Sequence, residues 1–134
     1  MNRTHLIQAF EQIATAEGYH FHTMEDRYIP QIVGKYPALW LSPPTFHSIE
    51  GRTHGKITYA VQAHAMQAAA KVPPAEHAQM HAQMEQQMVE IFGKLSQREF
   101  VVAVEDLQIR HSSMTLTPHG DVATTATAKV ITFF

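Results

Sequence analysis

The stretch from Lys56 to Met66, KITYAVQAHAM, sets Ile57, Tyr59, Val61, Ala63 and Ala65 on alternate positions, with Thr58, Ala60, Gln62 and His64 between them. A period of two sends successive side chains to opposite faces of a strand, so one face is apolar and must be covered. The chain therefore needs a sheet, and something to lie on it.

A second period supplies the cover. The prolines in Val72 to Pro74 open a helix, because proline is tolerated in a first turn, and the helical pattern runs on to Leu95. At about 100° per residue, Met80, Met84, Met88, Ile91, Phe92 and Leu95 fall within an arc of about 120°. Gln79, Gln83, Gln86, Gln87, Glu90 and Lys94 lie opposite. An earlier helix is predicted from Leu6, Ile7, Phe10, Ile13 and Ala14, with Thr4 as its N-cap and Gly18 as its stop.

Between these elements, the segment to Lys35 reads as a short strand plus loop. Tyr36 to Pro44, YPALWLSPP, reads as a brief strand between prolines, and PTFHSIEGRTHG as a polar connection. Beyond the second helix, Phe100 to Val104 and Leu107 to Thr117 are followed by TPHGD and then Val122 to Phe134. The last two runs, rich in Val, Ile, Thr and Phe, predict an antiparallel hairpin. The expected architecture is α+β: one domain over residues 1–134, with a single largely antiparallel sheet and two helices packed on one face.

Composition removes several chemistries. With no cysteine there is no disulfide, thiol nucleophile or Cys-containing zinc site. A net charge of -2, with 16% charged residues, provides no basic field for nucleic acid. No apolar run reaches the ~20 residues that span a bilayer. Gln8, Glu11 and Gln12 interrupt the apolar pattern of the N-terminus, so the expectation is a soluble, cytosolic chain without a signal peptide.

The ten histidines invite a metal. His77 and His81 share one helix face but lack an HExxH pattern, since Ala78 follows His77, and the third ligand would have to be His64. The simpler reading puts the pair at the rim of the core while Met80, Met84 and Met88 fill space against the sheet, rather than holding copper(I). No metal, cofactor or catalytic residue is assigned. His47, His54, His111 and His119 fall in or beside predicted loops. Glu25 and Asp26, like Glu105 and Asp106, are neighbours that point opposite ways on extended chain. GxSxG, GxxxxGK[ST] and GxGxxG are all absent, so the chain is not expected to be an enzyme. Trp40, between Leu39 and Leu41, is either a core aromatic or an interface anchor on the opposite face.

The order of elements resembles the tail terminator proteins of long-tailed bacteriophages, the minor tail protein U-like family. The matching features are an N-terminal helix, YPALWL, KITYAVQAHA, a proline-started amphipathic helix and a final strand ending VITFF. The resemblance implies a structural subunit that forms a ring, commonly hexameric. Such a ring caps the tail tube, meets the head connector, and resides in the virion after assembly in the host cytoplasm. A ring also suits Val122 to Phe134 if that strand forms an edge, since only Lys129 guards it; Thr127 and Lys129 are then interface candidates. The rival reading is a small metal- or ligand-binding α+β enzyme whose His54, His64, His77 and His81 line one pocket.

Overall fold

The computed structural model describes residues 2–112 and 115–134. In chain order the elements are α1 (Asn2–Ala16), β1 (His20–Thr23), the one-turn α2 (Ile29–Ile32), β2 (Ala38–Leu41), β3 (Thr45–Gly51), β4 (Gly55–Ala68), α3 (His77–Ser96), β5 (Val101–His111) and β6 (Asp121–Phe133). Short 3-10 turns at Asp26–Tyr28 and Pro74–Glu76 lead into α2 and α3. The strands form one six-stranded sheet in the order β1-β2-β4-β6-β5, with β3 beside β4. It is an α+β fold, and β1 alongside β2 is the parallel pair in an otherwise antiparallel sheet.

The spine is β4 against β6, in unbroken register from Lys56↔Phe133 to Ala68↔Asp121. The alternation in β4 fixes its faces: Tyr59, Val61, Ala63 and Ala65 join the core beneath α1 and α3. Their β6 neighbours there, Ala126 and Ala128, are also small. That small-residue floor leaves space that long helical side chains fill. Leu6, Phe10 and Ile13 come from α1; Met84, Met88, Ile91, Phe92 and Leu95 come from α3. Phe10 and Phe92 meet edge to face, with ring centroids 5.4 Å apart.

α1 stops where its glycine allows. Gly18 takes φ +89°, its N–H donates to Thr15 O, and that of Tyr19 donates to Ala14 O, the paired bonds that end a helix on a left-handed residue. The start lies earlier than expected, at Asn2 instead of beside Thr4. Asn2 Nδ2 donates to Thr132 Oγ1 at 2.8 Å and to Phe133 O at 2.6 Å, tying the helix start to the end of β6.

Four expectations change. The polar connection after Pro44 is strand β3, paired with β4 from Thr45↔Ala60 to Gly51↔Gly55. Its pattern is hard to read because it buries neither face: Phe46 is 52% exposed and Ile49 55%. Second, β6 is interior, bonded to β4 on one side and β5 on the other, so Thr127 and Lys129 do not lie on a free edge. The long ladder to β4 takes up the edge that the sequence left open. Third, β5 runs continuously from Val101 to His111 across a bulge between Glu105 and Gln108, where Asp106 adopts φ +54°. The predicted strand to Thr117 includes residues 113–114, which lie outside the described residues. Finally, a third helix, α2, is present, and it lies on the face opposite α1 and α3. Ile29 and Val33 pack with Ala38, Trp40, Met66 and Ala123 in a second small core.

Met84 is 1% exposed on the dry face of α3, whereas Gln83 is exposed. Met84→Asp should therefore cost about 4 kcal/mol or more, as an unpaired carboxylate enters the core, and Gln83→Asp should stay within about 0.5 kcal/mol. Urea melts followed by circular dichroism measure both; equal losses would mean that the face is misassigned.

Candidate functional site

The sheet face turned away from α1 and α3 is only partly covered. Near β2, residues 24–36 close over it, and Trp40 is fully buried there. Leu39 and Leu41 point to the helices and Trp40 to the other side, as alternation requires, but that side is occupied within the chain. Trp40 is thus a core residue and not an interface anchor. Its indole N–H lies within hydrogen-bond reach of Met24 O (3.1 Å) and Asp26 Oδ1 (3.2 Å).

Asp26 is the hub of a polar network. Its Oδ1 also accepts from Ser42 Oγ at 2.6 Å, and Oδ2 from Gln62 Nε2 at 3.2 Å and His64 Nε2 at 3.0 Å. On its far side, His64 Nδ1 meets Thr125 Oγ1 at 2.7 Å. Because Asp26 is an acceptor, His64 carries a proton on Nε2, while Nδ1 accepts from the Thr125 hydroxyl when the ring is neutral and donates to it when the ring is charged. Burial alone would push the Asp26 carboxyl up, but the Ser42 and His64 hydrogen bonds, the His64 charge and the Trp40 bond outweigh it and hold it below its ordinary 3.8. The result is a carboxylate–imidazole–hydroxyl chain with its polar groups turned on one another. Asp26 and His64 are far apart in sequence, so spacing offered no signal for this pairing.

Next to the network the face stays open. A cleft of about 550 Å³ is lined by Asp26, Ser42, Gln62, Gln108, Thr127 and Lys129, among others, and none of its lining residues is a histidine. Lys129 Nζ stands 3.5 Å from Asp106 Oδ2. The gathering of His54, His64, His77 and His81 that the rival reading required does not occur. His64 faces the cleft side, His81 meets Thr124 on the helix side, and His54 stands exposed between β3 and β4. The sheet itself separates His64 from the His77 and His81 pair.

On the helix side the histidines find a different partner. His81 and His111 rings lie 4.5 Å apart, centroid to centroid. Their Nδ1 atoms approach the same buried hydroxyl, Thr124 Oγ1, at 3.4 and 3.0 Å, and His111 Nε2 stands 3.6 Å from Glu85 Oε1. His77 Nε2 lies 3.1 Å from the Val72 carbonyl. His77 and His81 do sit at the rim of the core, half-buried. His111, expected beside a loop, ends strand β5. As the side chains stand, no three His, Asp or Glu groups among the described residues gather as a metal centre. No helix among them is long and apolar enough to cross a membrane.

Comparison of the sequence with protein-family models yields no match, and comparison with curated proteins yields none either.

Two pH responses follow from these contacts. Asp26 titrates lower folded than unfolded, so its contribution is present above pH 3.8 and is lost as pH falls through the folded value. Asp26→Asn should lower stability at neutral pH and flatten that acid limb in urea melts between about pH 5 and 2. His81 is held below 6.5 by burial first, then by the charges of His111 and His77. The unfolded chain takes up that proton first, so stability should fall as pH drops below 6.5, and His81→Ala should make the fall shallower in the same melts.

Proposed function

We propose that the chain is a structural assembly subunit, a tail-terminator or neck-completion protein of a long-tailed phage or prophage, which forms a closed ring on the tail tube. The observation that carries this reading is β3. It pairs with β4 on one side and, among the described residues, with no other strand, and it presents Phe46 and Ile49 to solvent. Free strand edges with exposed apolar side chains are normally guarded, because they template pairing with another chain.

The exposed apolar surface continues at the same end of the sheet, where Lys56 pairs with Phe133 and Phe134 exchanges backbone bonds with Gly55. Phe133 is 50% exposed and Phe134 40%. The occupant best suited to this edge is a second copy. The β3–β4 hairpin exposes Glu50, Arg52 and Lys56, and β5, an opposite edge of the sheet, exposes Glu105, Asp106 and Arg110, so each edge offers charges of both signs to the other. A β3-to-β5 contact between neighbours would be head-to-tail, the type that closes into rings. Thr127 and Lys129, on an interior strand, play no part in such an edge contact. The polar network also favours a non-enzymatic role, since the Asp26 oxygens are already taken up by four donors. The reading places the protein in the virion, with tail-tube and head-connector proteins as partners.

A second reading is a small-ligand-binding module that uses the open cleft, whose size lies within the range of small-molecule sites. The two separate by mass. Sedimentation of the chain, alone and mixed with a tail-tube protein, should give a ring, with six times 15.1 kDa the first expectation. Phe46→Asp with Ile49→Asp should reduce it to monomers while leaving the thermal melt nearly unchanged, because both side chains are more than half exposed. A parent protein that remains a monomer under both conditions would overturn the ring and leave the cleft reading.

A further inference from the structure

The contact of α3 with β5 and β6 holds a set of groups that neither the ring reading nor the polar network uses. His81 and Glu85, four residues apart, share one face of α3. His111 comes from the end of β5, and its ring lies against that of His81. Thr124, fully buried, stands under both rings.

The Thr124 oxygen has two lone pairs and so can accept an Nδ1–H from each imidazole. That tautomer leaves both Nε2 atoms with bare lone pairs. A hydrogen-bonded Nδ1 behind a free Nε2 is the arrangement by which proteins orient histidine toward a metal. Glu85 supplies the carboxylate: its Oε1 lies 3.6 Å from His111 Nε2, and two ligands of a tetrahedral zinc ion, each about 2.0–2.2 Å from it, stand about 3.4 Å apart. The Glu85 side chain is 54% exposed, so a rotation about its own bonds can bring it in without moving the backbone.

We propose that His81, His111 and Glu85 form a site for one divalent first-row transition ion, zinc(II) or a chemically similar metal, with water completing the coordination. His77 is left out of the ligand set because its Nε2 is engaged by the Val72 carbonyl. Three ligands from a helix and a strand of different segments would clasp α3 to the end of β5. His111 ends β5, the strand that the ring reading sets against a neighbour's β3, but all three ligands belong to one chain, so the site needs no neighbour and is titrated equally on the Phe46→Asp, Ile49→Asp chain.

The test is calorimetric titration of the untagged full chain with zinc chloride, together with the visible spectrum after adding cobalt(II). The expected result is one ion per chain, with the absorption of a tetrahedral cobalt site. His111→Gln, His81→Gln and Glu85→Gln should each weaken binding tenfold or more, while His47→Gln and His54→Gln, exposed in and beside β3, should bind as the parent does. Thermal melts check folding, and if either histidine variant fails to fold, the exposed Glu85→Gln decides. No uptake of zinc or cobalt at micromolar concentration, or a parent-like affinity in Glu85→Gln and the folded histidine variants, would overturn the site.

Discussion

Everything else in the molecule hangs on the ladder between β4 and β6. Thirteen consecutive residue pairs lock the register, and a slip of one would turn every side chain of β4 to the wrong face. The register brings small side chains together on the helix face. Ala63 stands beside Ala126 and Ala65 beside Thr124, so α3 can press Met84 and Met88 against the sheet. Methionine suits that floor, because its unbranched chain adapts to irregular space. The same register sets His64 beside Thr125 on the other face, where Asp26 reaches it.

The two faces have different physical characters. The helix face is a continuous apolar core with buried polar exceptions at its two ends, Thr124 beneath His81 and Thr132 bonded to Asn2. The opposite face is divided: a small core around Trp40 and Met66, then the Asp26 network, then the open cleft. Asp26 stands at the boundary, where one residue of the covering segment holds two strands by accepting from Ser42 in the turn after β2 and from Gln62 and His64 in β4. A buried imidazole with both ring nitrogens bonded favours one packing of residues 24–36 over alternatives, because any shift would leave a polar group without its partner.

On the side of β4 opposite β6, β2 and β3 follow one another. Ser42, Pro43 and Pro44 carry the chain from one to the other, and Ser42 N–H still donates to Gln62 O at the crossing. Beyond that crossing β3 extends past the cover of α1, which is why its apolar side chains stay in solvent. Arg3 sits over the Tyr59 ring at 5.2 Å and donates to Pro44 O, marking where the covered part of the sheet ends. The free edge is thus a consequence of strand length: β4 has fourteen residues, and β2, with four, shields only part of it.

By itself, the sequence determined the elements that carry a strong period. The apolar faces of α1, α3 and β4, the glycine stop of α1 and the terminal hairpin all follow from local spacing, because each depends on residues within a few positions of one another. It also determined that Leu39 and Trp40 point to opposite sides. What covers Trp40, which strand is interior, and which histidines meet were decided by the tertiary structure alone. Asp26 with His64, and His81 with His111, are joined across 38 and 30 positions of chain by strand order and helix placement. β3 carries no legible period because neither of its faces is covered, and the place of β6 inside the sheet is a property of its neighbours and not of its own residues. Spacing reports which side of an element is dry; only the closed sheet decides what stands on that side.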